Sequence, residues 1–344
     1  MIWLIIIVCI AVIAVAIAAA TFAAARRCDR NFFGKRLSGN PLVRYFEAKD
    51  FEGLTAEPVR FKSYKGVELR GFWYKKEGVE PRAVVVFAHG YGAGHLAYTT
   101  EIDFLAGCGY VVFAFDMTGC GESGGACLEG FDQGPLDLSA ALDFVASSAF
   151  GHLPVLLVGH SWGAFSVLNV LPSHPEVVGA VAMCGFVSGA SGVAESAFRK
   201  RLALAPFLAF WLRIFNHARL GKDANFNSIR SLQNSRVPLL LLYGGADATI
   251  RYATNGARIR KAACGRANTE FLFYPDKGHN VYLSAAAEAA LHEKLGRIPP
   301  QIAGDAAALK AYYASLDYRA LTEEDPAVMR SVSEFLEHCL RRGK

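Results

Sequence analysis

The chain has 344 residues, with 36 Lys and Arg against 31 Asp and Glu for a net charge of +5, and 53% of it is hydrophobic. That apolar share excludes a disordered protein, and the small cationic surplus, without interleaved basic and aromatic residues, leaves no footprint for nucleic acid. The 8 cysteines show neither metal-ligand spacing nor a paired framework, which excludes a disulfide scaffold and suits reduced thiols, although Cys120 and Cys127 are placed to pair across their loop in an exported chain.

Residues 2–25 contain no charged side chain. As a helix they reach about 36 Å, enough to cross a bilayer core of about 30 Å. A transmembrane anchor over residues 1–27 is therefore expected. A cleavable signal peptide is the rival, but the start carries no Lys or Arg and the apolar run exceeds the usual signal core. Arg26, Arg27, Arg30, Lys35 and Arg36 all follow the span, so the positive-inside rule puts the rest of the chain on the cytoplasmic face. Export to the cell surface is the alternative.

Beyond a juxtamembrane linker (28–58), residues 59–344 have the length of one large domain. Residues 59–61 and 67–74 flank a turn at Lys65-Gly66 and predict an antiparallel hairpin at a sheet edge. Apolar runs at 83–88, 110–115, 155–158, 178–184, 238–243 and 269–274 then alternate with helical segments. That alternation predicts a parallel α/β sheet.

The run 155–158 leads into Gly159-His160-Ser161-Trp162-Gly163, followed by an apolar helical pattern that Pro172 stops. A G-x-S-x-G between a buried strand and a helix is a nucleophile elbow: the turn is so tight that positions 159 and 163 must lack bulk, and the serine hydroxyl is held out above the sheet. Serine needs a histidine to take its proton, and the histidine needs a carboxylate to orient it. Asp247 and His279 each sit just past a later strand, in the order this fold uses, and parallel strands bring all three to one sheet edge. Asp247 has a competing use, capping a helix that begins near Ile250, and Asp276 is a rival carboxylate. Asp247 is favoured because the acid belongs on a different loop from the histidine. The backbone N–H groups of Trp162 and of Tyr91, in the loop His89-Gly90-Tyr91-Gly92 after the 83–88 strand, are the candidate oxyanion donors.

With these residues in view, the chain resembles the α/β-hydrolase superfamily and its serine esterases, monoacylglycerol-lipase-like enzymes and peptidase-like hydrolases. The resemblance runs from about residue 59 to 282 and also includes Asp116-Met117-Thr118-Gly119-Cys120-Gly121-Glu122-Ser123, similar to the superfamily's Asp-x-x-Gly-x-Gly-x-Ser turn with Thr118 where arginine or tyrosine is usual. It implies an eight-stranded, mostly parallel sheet with helices on both faces. It also implies a helical cap over the site, here 186–234. Within it, 197–219 reads as a helix rich in Phe198, Leu202, Leu204, Phe207, Phe210 and Trp211 and interrupted by Pro206. An apolar cap suits an acyl chain, though such residues also serve ordinary core packing. Residues 291–325, before a last helix at 326–341, depart from the usual short link and carry no functional expectation.

The expected activity is hydrolysis of a carboxylic ester, on an apolar substrate, through an acyl-enzyme, with no cofactor and no metal. Acyl transfer, thioester or peptide cleavage by the same residues, and a catalytically silent membrane scaffold, are the alternatives. Epoxide hydrolase and dehalogenase chemistry is disfavoured, because those relatives carry aspartate where Ser161 stands.

Overall fold

The computed structural model describes residues 1–92, 94–197 and 205–342. Eight strands form one sheet in the order β1-β2-β4-β3-β5-β6-β7-β8. They are β1 (Leu54–Lys62), β2 (Glu68–Lys76), β3 (Val84–Ala88), β4 (Val111–Phe115), β5 (Val155–His160), β6 (Gly179–Met183), β7 (Leu239–Gly244) and β8 (Thr269–Tyr274). β1 and β2 pair antiparallel, as does β2 with β4, and every later pairing is parallel. Each predicted strand is present. The edge hairpin is longer than the apolar residues suggested, because cross-strand backbone pairing continues through exposed polar positions from Leu54↔Lys76 to Lys62↔Glu68.

The central strands are buried along nearly their whole length. That burial explains their unbroken Val, Leu and Phe runs. One face is covered by α3 (Gln133–Ala146), α4 (Trp162–Val170), α7 (Ser228–Asn234) and α8 (Gly256–Ala263), and the other by α2 (Thr99–Gly107) and α12 (Pro326–Arg342). Every residue of α4 is buried, so its apolar pattern has no solvent side. The helix after Asp247 starts at Gly256 rather than near Ile250, because residues 248–255 form turns.

The N-terminal helix α1 runs unbroken over Ile2–Phe33 and, among the described residues, is the one helix long and apolar enough to cross a membrane. Its first two-thirds are exposed, whereas Ala25, Asp29 and Phe33, four residues apart, are buried against the domain. Gly34 ends it, its N–H donating to the Arg30 carbonyl. The chain after it stays docked: Leu37 bridges to Cys120, and the Arg36 guanidinium donates to the carbonyls of Gly121, Ser123 and Gly125.

Within residues 186–234 lie α5 (Gly189–Ala197), α6 (Ala205–Leu220) and α7, the last of which packs on the sheet rather than standing over it. Pro206 falls in the first turn of α6 as described, where a missing N–H costs nothing, and the expected interruption concerns residues 198–204, which lie outside the described residues. Phe198, Leu202 and Leu204 lie outside the described residues. The 291–325 segment contributes the end of α9 (Ala285–Lys294), α10 (Ala306–Ala314) and α11 (Tyr318–Leu321). Its Leu291, Leu295, Tyr318 and Leu321 pack on Phe46 and Phe51 of the linker. The segment therefore covers the linker on the α2 side of the sheet.

Candidate active site

β5 ends at His160 and α4 begins at Trp162, so Ser161 alone makes the turn, with φ 56° and ψ −113°. A non-glycine residue with positive φ is strained, and it persists because its surroundings hold it. The Ser161 N–H donates to the Met183 carbonyl at 2.8 Å and the Phe165 N–H returns to the Ser161 carbonyl at 2.9 Å. A Cβ at position 163 would stand 1.8 Å from the Ala88 carbonyl oxygen, and one at 159 would stand 2.6 Å from the Gly163 backbone. Both glycines of the motif are thus dictated by backbone contact.

The loops after β7 and β8 meet beside this turn. The Ala246 N–H donates to the Lys277 carbonyl, and a Cβ at Gly244 would lie 2.2 Å from the Gly278 carbonyl oxygen. This closeness brings the Asp247 and His279 side chains together: His279 Nδ1 lies 2.7 Å from Asp247 Oδ2, and its Nε2 lies 2.9 Å from Ser161 Oγ. With the Nδ1 proton directed at the carboxylate, Nε2 is left to accept from the serine hydroxyl. Asp247 also does the work of its competing reading, since its Oδ1 accepts the N–H groups of Thr249 and Ile250 at 2.7 Å each. Asp276 is exposed and apart from the histidine ring's partners.

Trp162 opens α4 directly after Ser161, and the loop that carries Tyr91 touches the end of β5, where a Cβ at Gly90 would lie 3.4 Å from the His160 carbonyl oxygen. Among the described residues, neither N–H donates to another group. The loop that carries Tyr91 is held on two sides. Burial depresses the pKa of His89, and the neutral ring donates from Nδ1 to the Gly90 carbonyl and accepts the Met117 N–H at Nε2, at 2.7 and 3.0 Å. The Gly90 N–H donates to the Tyr98 hydroxyl at 3.0 Å.

Sequence reasoning passed over three residues here. His160 is buried, and its burial and the neighbouring His279 push its pKa well down, so its ring is neutral. Its Nε2–H donates to the His279 carbonyl at 2.9 Å and its Nδ1 accepts from Tyr98, also at 2.9 Å. Tyr98 and His160 therefore join the Tyr91 loop to the His279 backbone through side chains alone. The third is Glu288 on α9, whose two oxygens accept the N–H groups of Gly278 and Asn280 at 2.9 and 3.0 Å, one on either side of His279. His160 had a detectable signal in its motif position. Glu288 had none, because nothing in sequence says that α9 folds back over this loop.

His160, Cys184 and His279 place three potential metal-ligand atoms within 4.8 Å of one another. All four ring nitrogens are already in hydrogen bonds, and burial pushes the Cys184 thiol well up, which keeps it protonated. The donor set thus suits a packed hydrogen-bonded cluster better than a cation. The Asp116 turn is structural: its carboxylate takes the His95 N–H and ring and the Glu122 N–H, and a Cβ at Gly94 or Gly121 would meet it at 2.3 or 2.1 Å. Thr118 uses its N–H and hydroxyl on Asp137.

Residues 79–231 match the family model described as serine aminopeptidase, S33. A curated relative, epoxide hydrolase A of Mycobacterium tuberculosis, is 36% identical over 131 residues, a match spanning 37% of this chain and only 38% of that protein. Among solved structures, the esterase Pf2001 of Pyrococcus furiosus superposes with a TM-score of 0.60 at 18% identity, covering 88% of this chain and 100% of that one. Brefeldin A esterase, a bacterial homologue of human hormone sensitive lipase, gives a TM-score of 0.55 at 16% identity over 94% of this chain and 86% of its own. With its eight-stranded sheet and the serine turn at the end of β5, the chain has the α/β-hydrolase fold, and its residues 79–231 resemble the matching family.

Proposed function

We propose that this protein is a membrane-anchored serine hydrolase that cleaves carboxylic esters through an acyl-enzyme. The observation that carries the reading is the hydrogen-bonded line Asp247–His279–Ser161, at 2.7 and 2.9 Å, ending on a strained serine. Asp247 fixes the tautomer of His279 and stabilises its imidazolium, and Nε2 takes the proton as Ser161 Oγ attacks the carbonyl carbon. The oxyanion rests on the N–H groups of Trp162 and Tyr91. His279 then protonates the leaving alkoxide, and a water deprotonated by the same ring releases the acid and restores the serine. These steps need no metal or cofactor.

An apolar acyl group is the favoured substrate part. The apolar residues of α6 support that preference, although the cavity of about 330 Å³ between α5 and α6 has mixed walls, with Ala194, Ala205, Pro206 and Ala209 beside Glu195, Arg213 and Thr254. The unbroken course of α1 through residues 18–25 into its docked end supports an anchor rather than a cleaved signal, and the cations after it support a cytoplasmic domain. Opening an epoxide through an alkyl-enzyme would need a carboxylate where Ser161 stands, so the name of the mycobacterial relative is not extended to this chain.

Fluorophosphonate labelling of the wild type and of Ser161→Ala, followed by nitrophenyl esters of rising acyl length, tests the chemistry. Absence of labelling in the wild type, or equal labelling and turnover in the variant, sinks it. The matching family model favours a second reading, cleavage of an N-terminal amide by the same residues, and aminoacyl nitroanilides in the same panel decide between them. Added alcohol or thiol acceptors reveal acyl transfer by product partition. Digestion of the domain from outside intact cells would refute the orientation.

A further inference from the structure

Four contacts fix how α1 and α6 lie against each other. Thr21 Oγ accepts the Trp211 indole N–H at 3.1 Å, Phe22 packs edge-on against Trp211 and Phe215, the Arg26 guanidinium lies over Phe215, and Asp29 takes both terminal nitrogens of Arg219 at 2.7 and 3.1 Å. The partners rise together in number, so the two helices run side by side in the same direction. If α1 spans a membrane, as proposed above, the N-terminus of α6 points into that membrane too.

The depths can be matched. Thr21 lies about 29 Å along the helix from Ile2, close to the thickness of a hydrocarbon core, so it marks the border nearest the domain. Trp211 stands level with Thr21, and Ala205 lies about 9 Å further toward the hydrocarbon along α6. The composition changes at the same level on both helices. Residues 205–212 carry no charge, and the first cations are Arg213 on α6 and Arg26 on α1. Phe207, Phe210 and Ile214, at helical spacing on one stripe of α6, are 54%, 58% and 42% exposed. Water is a poor neighbour for such a stripe, whereas acyl chains are a good one.

We propose that the first two turns of α6 insert beside α1 into the same leaflet, with lipid acyl chains against Phe207 and Phe210 and with Ile214 at the headgroup border. In sequence, Arg199, Lys200 and Arg201 come shortly before α6, and the cost of burying charge holds the insertion to a shallow depth. The opposite flank of the same turns, Ala205, Pro206 and Ala209, walls the cavity between α5 and α6. Lipid in the leaflet would thus lie against the helix that separates it from this cavity, whose far walls include Glu195 and Thr254.

The test uses full-length protein in phosphatidylcholine vesicles, with Cys9, Cys28, Cys108, Cys127 and Cys264 replaced by serine and one polarity-sensitive fluorophore on a single cysteine. The label sits at Phe207→Cys, at Phe210→Cys, on reinstated Cys9 in the span, or at Glu57→Cys on the exposed edge strand. The expected result is blue-shifted emission, quenched at least twofold by acyl-chain nitroxide lipids, at 207, 210 and Cys9, with Glu57→Cys unaffected. Aqueous emission at 207 and 210 with Cys9 quenched overturns the insertion and leaves the anchor standing. Aqueous emission at Cys9 overturns the anchor and the insertion with it. Blue-shifted labels at 207 and 210 that lipid nitroxides do not quench indicate a protein partner on the stripe and also overturn the proposal.

Discussion

The Tyr91 hydroxyl donates to the backbone carbonyl of Phe32 at 2.7 Å. That carbonyl lies in the last turn of α1, where no intrahelical partner exists. The Tyr91 ring is also set among Phe32, Phe131 and Trp162, at centroid distances of 6.1, 5.7 and 6.5 Å. The N-terminal helix thus reaches the loop proposed to bind the oxyanion.

Tyr91→Phe keeps the ring packing and removes only this bond. A net hydrogen bond of about 0.5–1.5 kcal/mol, lost where it orients the loop, lowers kcat by about 2–10-fold. KM stays unchanged, because the donor acts on the transition state. Steady-state kinetics on a short nitrophenyl ester would show this, and an unchanged kcat would mean that the helix end does not bear on the loop.

For Asp247 the informative substitution is asparagine. Alanine would also release the Thr249 and Ile250 N–H groups held by Oδ1, confusing loop collapse with chemistry. Asn keeps an acceptor there but no longer fixes the histidine tautomer. If the proposed triad operates, a fall in kcat of about 10⁴-fold with little change in melting temperature is expected, as for the corresponding substitution in a Ser-His-Asp triad. A loss below tenfold would assign Asp247 to loop structure alone.

Glu288→Gln leaves one acceptor for two N–H donors and turns an amide toward the other. Leaving a buried donor unmet costs about 1–3 kcal/mol, and the His279 loop loses one of its two fixed shoulders. The expected outcome is a fall in kcat of about 10–100-fold at nearly constant KM, because small displacements of a base are costly. A lowered melting temperature with normal kcat would show that Glu288 serves stability only.

The residues set by backbone geometry were legible in sequence. Gly159 and Gly163 had to be small, Ser161, Asp247 and His279 had to end parallel strands, and Thr269–Tyr274 reads as a strand to the residue. What was not legible depends on contacts between distant segments. Nothing local in Phe32 says that its carbonyl meets residue 91, and Glu288 is an ordinary helix-forming residue until α9 lies across Gly278 and Asn280. The polar half of the edge hairpin was missed for a related reason, since its pairing rests on the backbone and leaves no apolar pattern.

Glu101 offers a test of stability against pH. It is a buried residue of α2 in the wall of a cavity of about 200 Å³ beside Tyr98, Tyr318 and Leu321. Burial raises its pKa well above the ordinary carboxylate range, and burial followed by the nearness of Glu101 and Asp103 does the same for Glu324. An unfolded glutamate loses its proton near pH 4.3, while the folded one keeps it to much higher pH. The folded state therefore binds more protons, and stability declines as pH rises from about 4.3 through the raised folded values. Glu101→Gln removes this proton uptake and relieves Glu324 of a neighbouring charge. Its melting temperature should equal that of the wild type near pH 4–5 and exceed it by a few degrees at pH 8, a gain of about 1–3 kcal/mol. Thermal denaturation from pH 4 to 9 measures the difference, and a gain that stays constant across that range would mean that packing around residue 101, rather than its proton, sets the effect.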